Sequence, residues 1–286
     1  MNTFWYTGRL AGKYCYRMKT KALSFYFLYS WLIIFSLIPL ILIVITSFFT
    51  QDSVHLINFP LTLTNYGELF TAVFAKIFFR SLLFAAVATI CCLLLAYPAS
   101  YALLKLKHKS LCLLLLIIPF WTSAIVRTYS LVALLKAKGI INNVLISLHF
   151  INTPILLLYS NFAVVLGLIY NLFPFMLLPI YANMERFDFK LIEAAQDLGA
   201  NKLTIFFQIF LPNTINGIIA GCLLVFLPAM TLFYIPDVLG GARSILMGNL
   251  IQDQFLNMGN WPQGAATSVV LSMMMLICIY RCYSPR

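Results

Sequence analysis

Residues 185–212 read ERFDFKLIEAAQDLGANKLTIFFQIFLP, and here alone acids and bases crowd together between two long apolar runs. Glu185, Asp188, Glu193 and Asp197 share the stretch with Arg186, Lys190 and Lys202. Asp188 can cap a helix start, Leu191, Ala194, Ala195 and Leu198 recur at helical spacing, and Gly199 can take the left-handed conformation that ends a helix. A second short helix is expected from about 201 to 210, with Pro212 stopping it before the next apolar run. The reading is a helix, a glycine turn and a helix outside a bilayer, where small Ala194 and Ala195 let another surface approach the backbone. An ordinary amphipathic connection lying on the membrane surface has the same local pattern.

Working outward, a helix needs about 20 apolar residues to cross a hydrocarbon core of roughly 30 Å. Six runs qualify: residues 24–49, 81–104, 111–135, 161–182, 215–235 and 265–280. In the third, Pro119 and Arg127 intervene, so its uninterrupted part ends near 123–126, with Arg127 snorkelling to the interface. Residues 144–159 are apolar too, but His149 and Asn152-Thr153-Pro154 break them, which predicts a short interfacial helix and no seventh span. Of 286 residues, 62% are hydrophobic and 9% charged, and the mean hydropathy is +0.94. Such a composition excludes a water-soluble globular domain and a disordered chain alike. The expected fold is an all-α integral membrane protein of six transmembrane helices, with a basic segment at 1–24 and a single membrane domain at 25–286 that includes the loop 185–212.

The net charge of +11 would suggest nucleic acid in a soluble domain, but its placement gives another reason. With the N-terminus inside, 13 of the 19 Lys and Arg fall in inner segments, at 1–24, 105–109, 183–214 and 281–286. The other six are Lys76, Arg80, Arg127, Lys136, Lys138 and Arg243. This positive-inside asymmetry predicts both termini in the cytoplasm and no nucleic-acid partner. No small-residue cleavage site follows the first run, so it reads as a retained anchor. The seven cysteines form no CxxC pair and no cluster with the three histidines, which predicts neither a disulfide framework nor a metal site.

The spacing Glu193-Ala194-Ala195, three residues, Gly199, nine residues, Ile209, one residue, Leu211-Pro212 resembles at every fixed position the EAA loop of ABC importer permeases. The likeness runs over nearly the whole chain. It tightens at Ile118-Pro119-Phe120-Trp121-Thr122 to Arg127-Thr128-Tyr129, at Pro228-Ala229-Met230 to Phe233-Tyr234-Ile235-Pro236-Asp237, and on through Gly240-Gly241-Ala242 and Asn260-Trp261-Pro262. There it is similar to the B-type permeases of bacterial spermidine/putrescine importers. The resemblance implies the type I ABC importer permease fold and a multi-pass place in the bacterial inner membrane. It also implies a second, C-type permease, a dimer of ATPase subunits and a periplasmic polyamine-binding protein as partners. In that family the loop forms coupling helices seated in a groove of the ATPase, roles that would fall to Glu193, Ala194, Ala195, Gly199, Ile209, Leu211 and Pro212.

No GxxxxGK[ST] run is present, so ATP and Mg²⁺ are expected on the partner ATPase and no cofactor on this chain. No catalytic set converges in any span. A polyamine, a flexible polycation, calls for scattered carboxylates and aromatic faces along its path. Asp52, Glu68, Asp237 and Asp253 are the acids of the outer segments, and Asp237, following the fifth run, is the foremost candidate. Trp121 and Tyr129 flank the outer half of the third run, and Tyr66 lies in the first outer loop. Each ring equally suits an interfacial belt, and each acid a solvated loop or a contact to the binding protein. A secondary transporter would need ionisable residues near the midplane of its spans, and none lies there. A permease for another small solute would share the six-span core.

Overall fold

The computed structural model describes residues 25–26, 28–51, 61–241 and 244–283. The basic 1–24 segment, Asp52, Ala242 and Arg243 lie outside the described residues. In chain order the helices are α1 (Leu28–Thr46), α2 (Ala72–Lys105), α3 (Lys109–Trp121), α4 (Ala124–Leu135), α5 (Ile140–Ser147), α6 (Asn161–Glu185), α7 (Lys190–Asp197), α8 (Lys202–Thr231), α9 (Met247–Gln252) and α10 (Trp261–Tyr283). Among the described residues, six stretches are long and apolar enough to cross a membrane: α1, α2, Ala124–Ser147 (which holds α4 and α5), α6, α8 and α10. The six-span all-α expectation holds.

Three boundaries differ from those expected. Helix α2 has 34 residues instead of the run 81–104, so it carries Lys76 and Arg80 on its outer turns; at 1.5 Å per residue it is about 51 Å long and overshoots a bilayer core. The third run is broken: α3 ends in a 3₁₀ turn at Ile118–Trp121, Thr122 is extended, and the helix restarts at Ala124. Pro119, lacking an N–H, sits at the start of that tight turn. Pro212 does not stop the helix before the fifth run either. α8 is continuous through it, because Ile205–Phe210 is π-helical and Pro212 falls in the first turn of the α-helical part, where a missing N–H costs little. Helix α8 then ends at Thr231, before the expected 235. The third membrane-length stretch shifts from 111–135 to 124–147, and the interfacial helix expected within 144–159 is not formed: α5 ends at Ser147 inside that stretch, and His149 takes φ +58° beyond it.

The chain divides into two compact units, one of the described residues up to Tyr66 with Asn260–Val270, the other of Gly67–Gly259 with Leu271 onward. In the first, Asn65 donates to the carbonyls of Ser47 (2.9 Å) and Phe49 (2.8 Å), tying the chain after α1 into a closed turn. In the second, α6 is the central helix, packed between α2 and α8. Without a hydrophobic drive between helices in lipid, close approach needs small residues. On α2 these are Ala85, Ala88, Cys92, Ala96 and Ser100, all buried and three or four residues apart. On α8 they are Gly217 and Gly221: a Cβ at Gly217 would lie 2.6 Å from Cβ of Asn183, and one at Gly221 2.8 Å from Sδ of Met176. Tyr97 Oη and Thr214 Oγ1 (3.1 Å) bridge α2 to α8, and Asn171 Nδ2 donates to Thr128 Oγ1 (3.3 Å), bridging α6 to α4.

The stretch between the fifth and sixth runs, which holds Asp237 and Asp253, is also packed. Ile235, Leu239, Leu246 and Met247 are fully buried, the Met247 N–H donates to Ser81 Oγ (2.8 Å), and the Asn249 side chain donates to the Phe233 carbonyl (2.9 Å). The segment packs against the N-terminal halves of α2 and α6.

Candidate functional site

From Asp188 to Asn201 the signature loop folds as its residues predict, though the second helix runs on past Pro212. Asp188 Oδ1 accepts the Lys190 N–H (3.1 Å) at the entrance to α7. The exit is a paired C-terminal cap: the Gly199 N–H donates to the Gln196 carbonyl (2.9 Å) and the Ala200 N–H to the Ala195 carbonyl (3.0 Å). Gly199 takes φ +80°, which a residue with a Cβ adopts only at a cost. Asn201 then accepts the Thr204 N–H (2.8 Å) and starts α8. A helix, a left-handed glycine and a capped second helix follow within fifteen residues, at 190–204.

The two faces of this hairpin differ. Inward, Ala195, Ile205 and Phe210 are buried, and Phe210 lies edge-on to Phe187 (5.2 Å between centroids) and to Tyr101 of α2 (5.6 Å), while Tyr97 of α2 meets Phe206 edge-on (6.0 Å). This aromatic cluster fastens the hairpin to α2, and chain continuity fastens it to α8. Outward, Glu193, Ala194, Gly199 and Pro212 are exposed, with Ile209 and Leu211 half-buried beneath them. The helical series Leu191, Ala194, Ala195, Leu198 is therefore split. Only Ala195 turns in, because Ile192 and Ala195 supply the inner stripe, and Leu198 is left 89% exposed with Leu203 at 69% and Phe207 at 61%. The hairpin thus exposes large apolar side chains together with the carboxylates of Glu193 and Asp197. Among the described residues the ion pair is Lys109 with Glu185 (2.6 Å), and that hydrogen bond raises the Lys109 pKa; Glu193 is in no ion pair.

On the other side, Asp237 is exposed in the short π-helical segment Pro236–Gly240, its N–H donating to the Phe233 carbonyl (3.1 Å). Trp121 is 83% exposed at the break in the third run, and Tyr129 is exposed on α4. No hydrogen bond or ring contact joins these three among the described residues. Tyr66, in the other unit, is half-buried and its hydroxyl is bonded to Ser47 Oγ (2.7 Å).

Arg127 corrects the interface reading. Its Nε and Nη1 are buried without a hydrogen-bond partner, and the guanidinium lies over the Phe120 ring (4.6 Å) and near that of Tyr170 (6.0 Å). Burial raises the Tyr234 hydroxyl pKa, and the Arg127 charge pulls it back. No partner for this cation was visible from its position at a span end; the rings arrive from α3 and α6. Gly217-x₃-Gly221, by contrast, was legible as a small-residue pair in an apolar run.

Six spans interrupted by an exposed helix-glycine-helix hairpin define an ABC importer permease by fold. A solved bacterial ABC transporter involved in the import of the acidic polysaccharide alginate matches with a TM-score of 0.75 at 15% identity, covering 94% of this chain and 96% of that one. The chain belongs to the family of the spermidine/putrescine transport system permease protein PotB. It is 44% identical to that protein of Haemophilus influenzae over 267 residues, 93% of each chain. To that of Escherichia coli K12 it is 47% identical over 247 residues, 86% of this chain and 90% of the relative. No family model matches the chain.

Proposed function

We propose that this chain is one of two transmembrane subunits of an ATP-driven importer that carries polyamines, spermidine or putrescine, into the cytoplasm. The observation that carries the reading is the hairpin: Glu193 and Ala194 exposed beside Gly199 at φ +80°, within a chain 44–47% identical to permeases of that family. The partner subunits are a second permease, an ATPase dimer that binds ATP and Mg²⁺, and a periplasmic binding protein that delivers the solute. The chain itself is not an enzyme. Both termini and residues 183–214 lie in the cytoplasm of a bacterial inner membrane, which the distribution of Lys and Arg supports.

The hairpin suits the transmission of force. Because the first turns of α8 are clamped to α2 by rings and α7 packs on those turns, a push on Glu193 to Gly199 moves two helices that hold α6 between them. Close-packed helices shift as bodies, so movement at the cytoplasmic end reaches the outer end. There Asp237 supplies a carboxylate, and Trp121 and Tyr129 supply rings, for a dehydrating polycation. The test is Asp197→Cys in a cysteine-free background. An impermeant thiol reagent should reach it only in broken cells, and a short crosslinker should join it to the copurifying ATPase. Labelling from outside intact cells would overturn the orientation, and absence of the crosslink in a complex of normal abundance would overturn the docking site.

A further inference from the structure

A cavity of about 540 Å³ opens between the inner end of α2 and the hairpin of α7 and α8. Its floor is apolar and mostly aromatic, made by Tyr97, Tyr101, Phe206, Phe210 and Ile192. Two ammonium groups stand at it, those of Lys105 and Lys202, and no acidic side chain lines it. Neither lysine is in an ion pair among the described residues; Lys105 Nζ rests 4.3 Å from the Tyr101 ring centroid. Both lysines are solvent-exposed, so an anion would not need to displace an existing partner.

Two unpaired cations above an aromatic trough ask for a ligand with an anionic head and an apolar body. The cavity lies at the C-terminal end of α2, where Lys105, Lys107 and Lys109 follow a long apolar run as basic residues do at a lipid headgroup boundary. A free phosphate would pair the lysines and leave the rings wet. A phospholipid satisfies both parts, the phosphate between the ammonium groups and an acyl chain along the rings. We propose that this cavity binds an anionic phospholipid of the inner leaflet, and that its occupancy sets the position of α7 against α2. The second clause rests on the reading of α7 as the ATPase joint; the first does not. One wall is Tyr97, Tyr101 and Lys105 of α2, and the other includes Ile192 and Gln196 of α7, so a bound chain separates the two helices by its own thickness.

The probe is dioleoyl phosphatidylglycerol against the phosphatidylcholine of the same chains, with retention on the purified complex followed by native mass spectrometry without nucleotide. At about five-fold in affinity per lysine near an anionic lipid, Lys105→Gln with Lys202→Gln should weaken phosphatidylglycerol retention about 25-fold. The control pair Lys107→Gln with Lys190→Gln, exposed lysines that do not line the cavity, should leave retention unchanged. Equal loss in the control, or no loss in the test pair, overturns the site. Displacement by millimolar inorganic phosphate identifies a free-anion site and overturns the lipid. If the test pair loses copurifying ATPase while keeping the lipid, the cavity is covered by the ATPase and the proposal falls. ATP hydrolysis should depend on phosphatidylglycerol in the unaltered complex and not in the test pair; a dependence that survives loss of the lipid overturns the positional clause alone.

Discussion

Replacing Gly199 by valine asks a β-branched residue to hold φ +80°. No atom lies within 4 Å of where its Cβ would stand, so the cost comes from the backbone and not from a clash. For an L-residue the left-handed conformation costs roughly 1–2 kcal/mol, and more for a β-branched one. If the turn opens instead, the two capping hydrogen bonds from Gly199 and Ala200 are lost, at about 1 kcal/mol each. Either route puts about 2–3 kcal/mol against the observed orientation of α7, which lowers the population of the docked hairpin by roughly 30- to 150-fold. The spans are untouched, so membrane abundance should stay normal while ATP-driven uptake collapses. Asparagine tolerates left-handed φ and alanine does not, so activity should fall in the order Gly, Asn, Ala, Val. Uptake of labelled spermidine normalised to membrane abundance reads the series. Full activity for Gly199→Val, or an asparagine variant weaker than the valine one, would refute the backbone argument.

Glu193→Ala removes an exposed carboxylate from the hairpin without touching backbone geometry, and should weaken ATPase copurification by about 1–2 kcal/mol, less than Gly199→Val weakens coupling. Asp237→Asn keeps size and deletes charge, so polyamine uptake should drop with ATPase assembly intact; an unchanged rate and apparent affinity would return Asp237 to a solvated loop role. Trp121→Leu tests the ring alone and should cost about 0.5–2 kcal/mol in apparent affinity. Gly217→Leu forces side-chain atoms against Asn183 and the Pro179 carbonyl oxygen, and should lower the thermal stability of the purified chain by about 1–3 kcal/mol or more; an unchanged Tm would mean that α8 and α6 separate freely there.

The spans were legible because a bilayer imposes a minimum apolar length that composition alone reveals. Their ends were less so. Lys76 and Arg80 looked like the close of a loop, yet long basic side chains ride on outer helix turns, and Arg80 there donates to Asn161 Oδ1 (2.9 Å). Pro212 looked like a stop, yet its effect depends on whether the preceding carbonyls are already out of α register, which the π-helical stretch decides. The hairpin was legible down to Gly199 because its geometry is local. Which of Leu191, Ala194, Ala195 and Leu198 would face inward was not, since it depends on the packing of α7 against the first turns of α8. Arg127 was misread for a similar reason: its rings, Phe120 and Tyr170, come from two other helices.

The measurement that tests the central claim most directly is spermidine uptake by proteoliposomes holding the complete complex, with the binding protein supplied outside and ATP with Mg²⁺ trapped within. Accumulation should require all three and should stop when Gly199→Val replaces the unaltered chain. Spermidine entry that proceeds without ATP, or that follows an imposed ion gradient, would contradict the account.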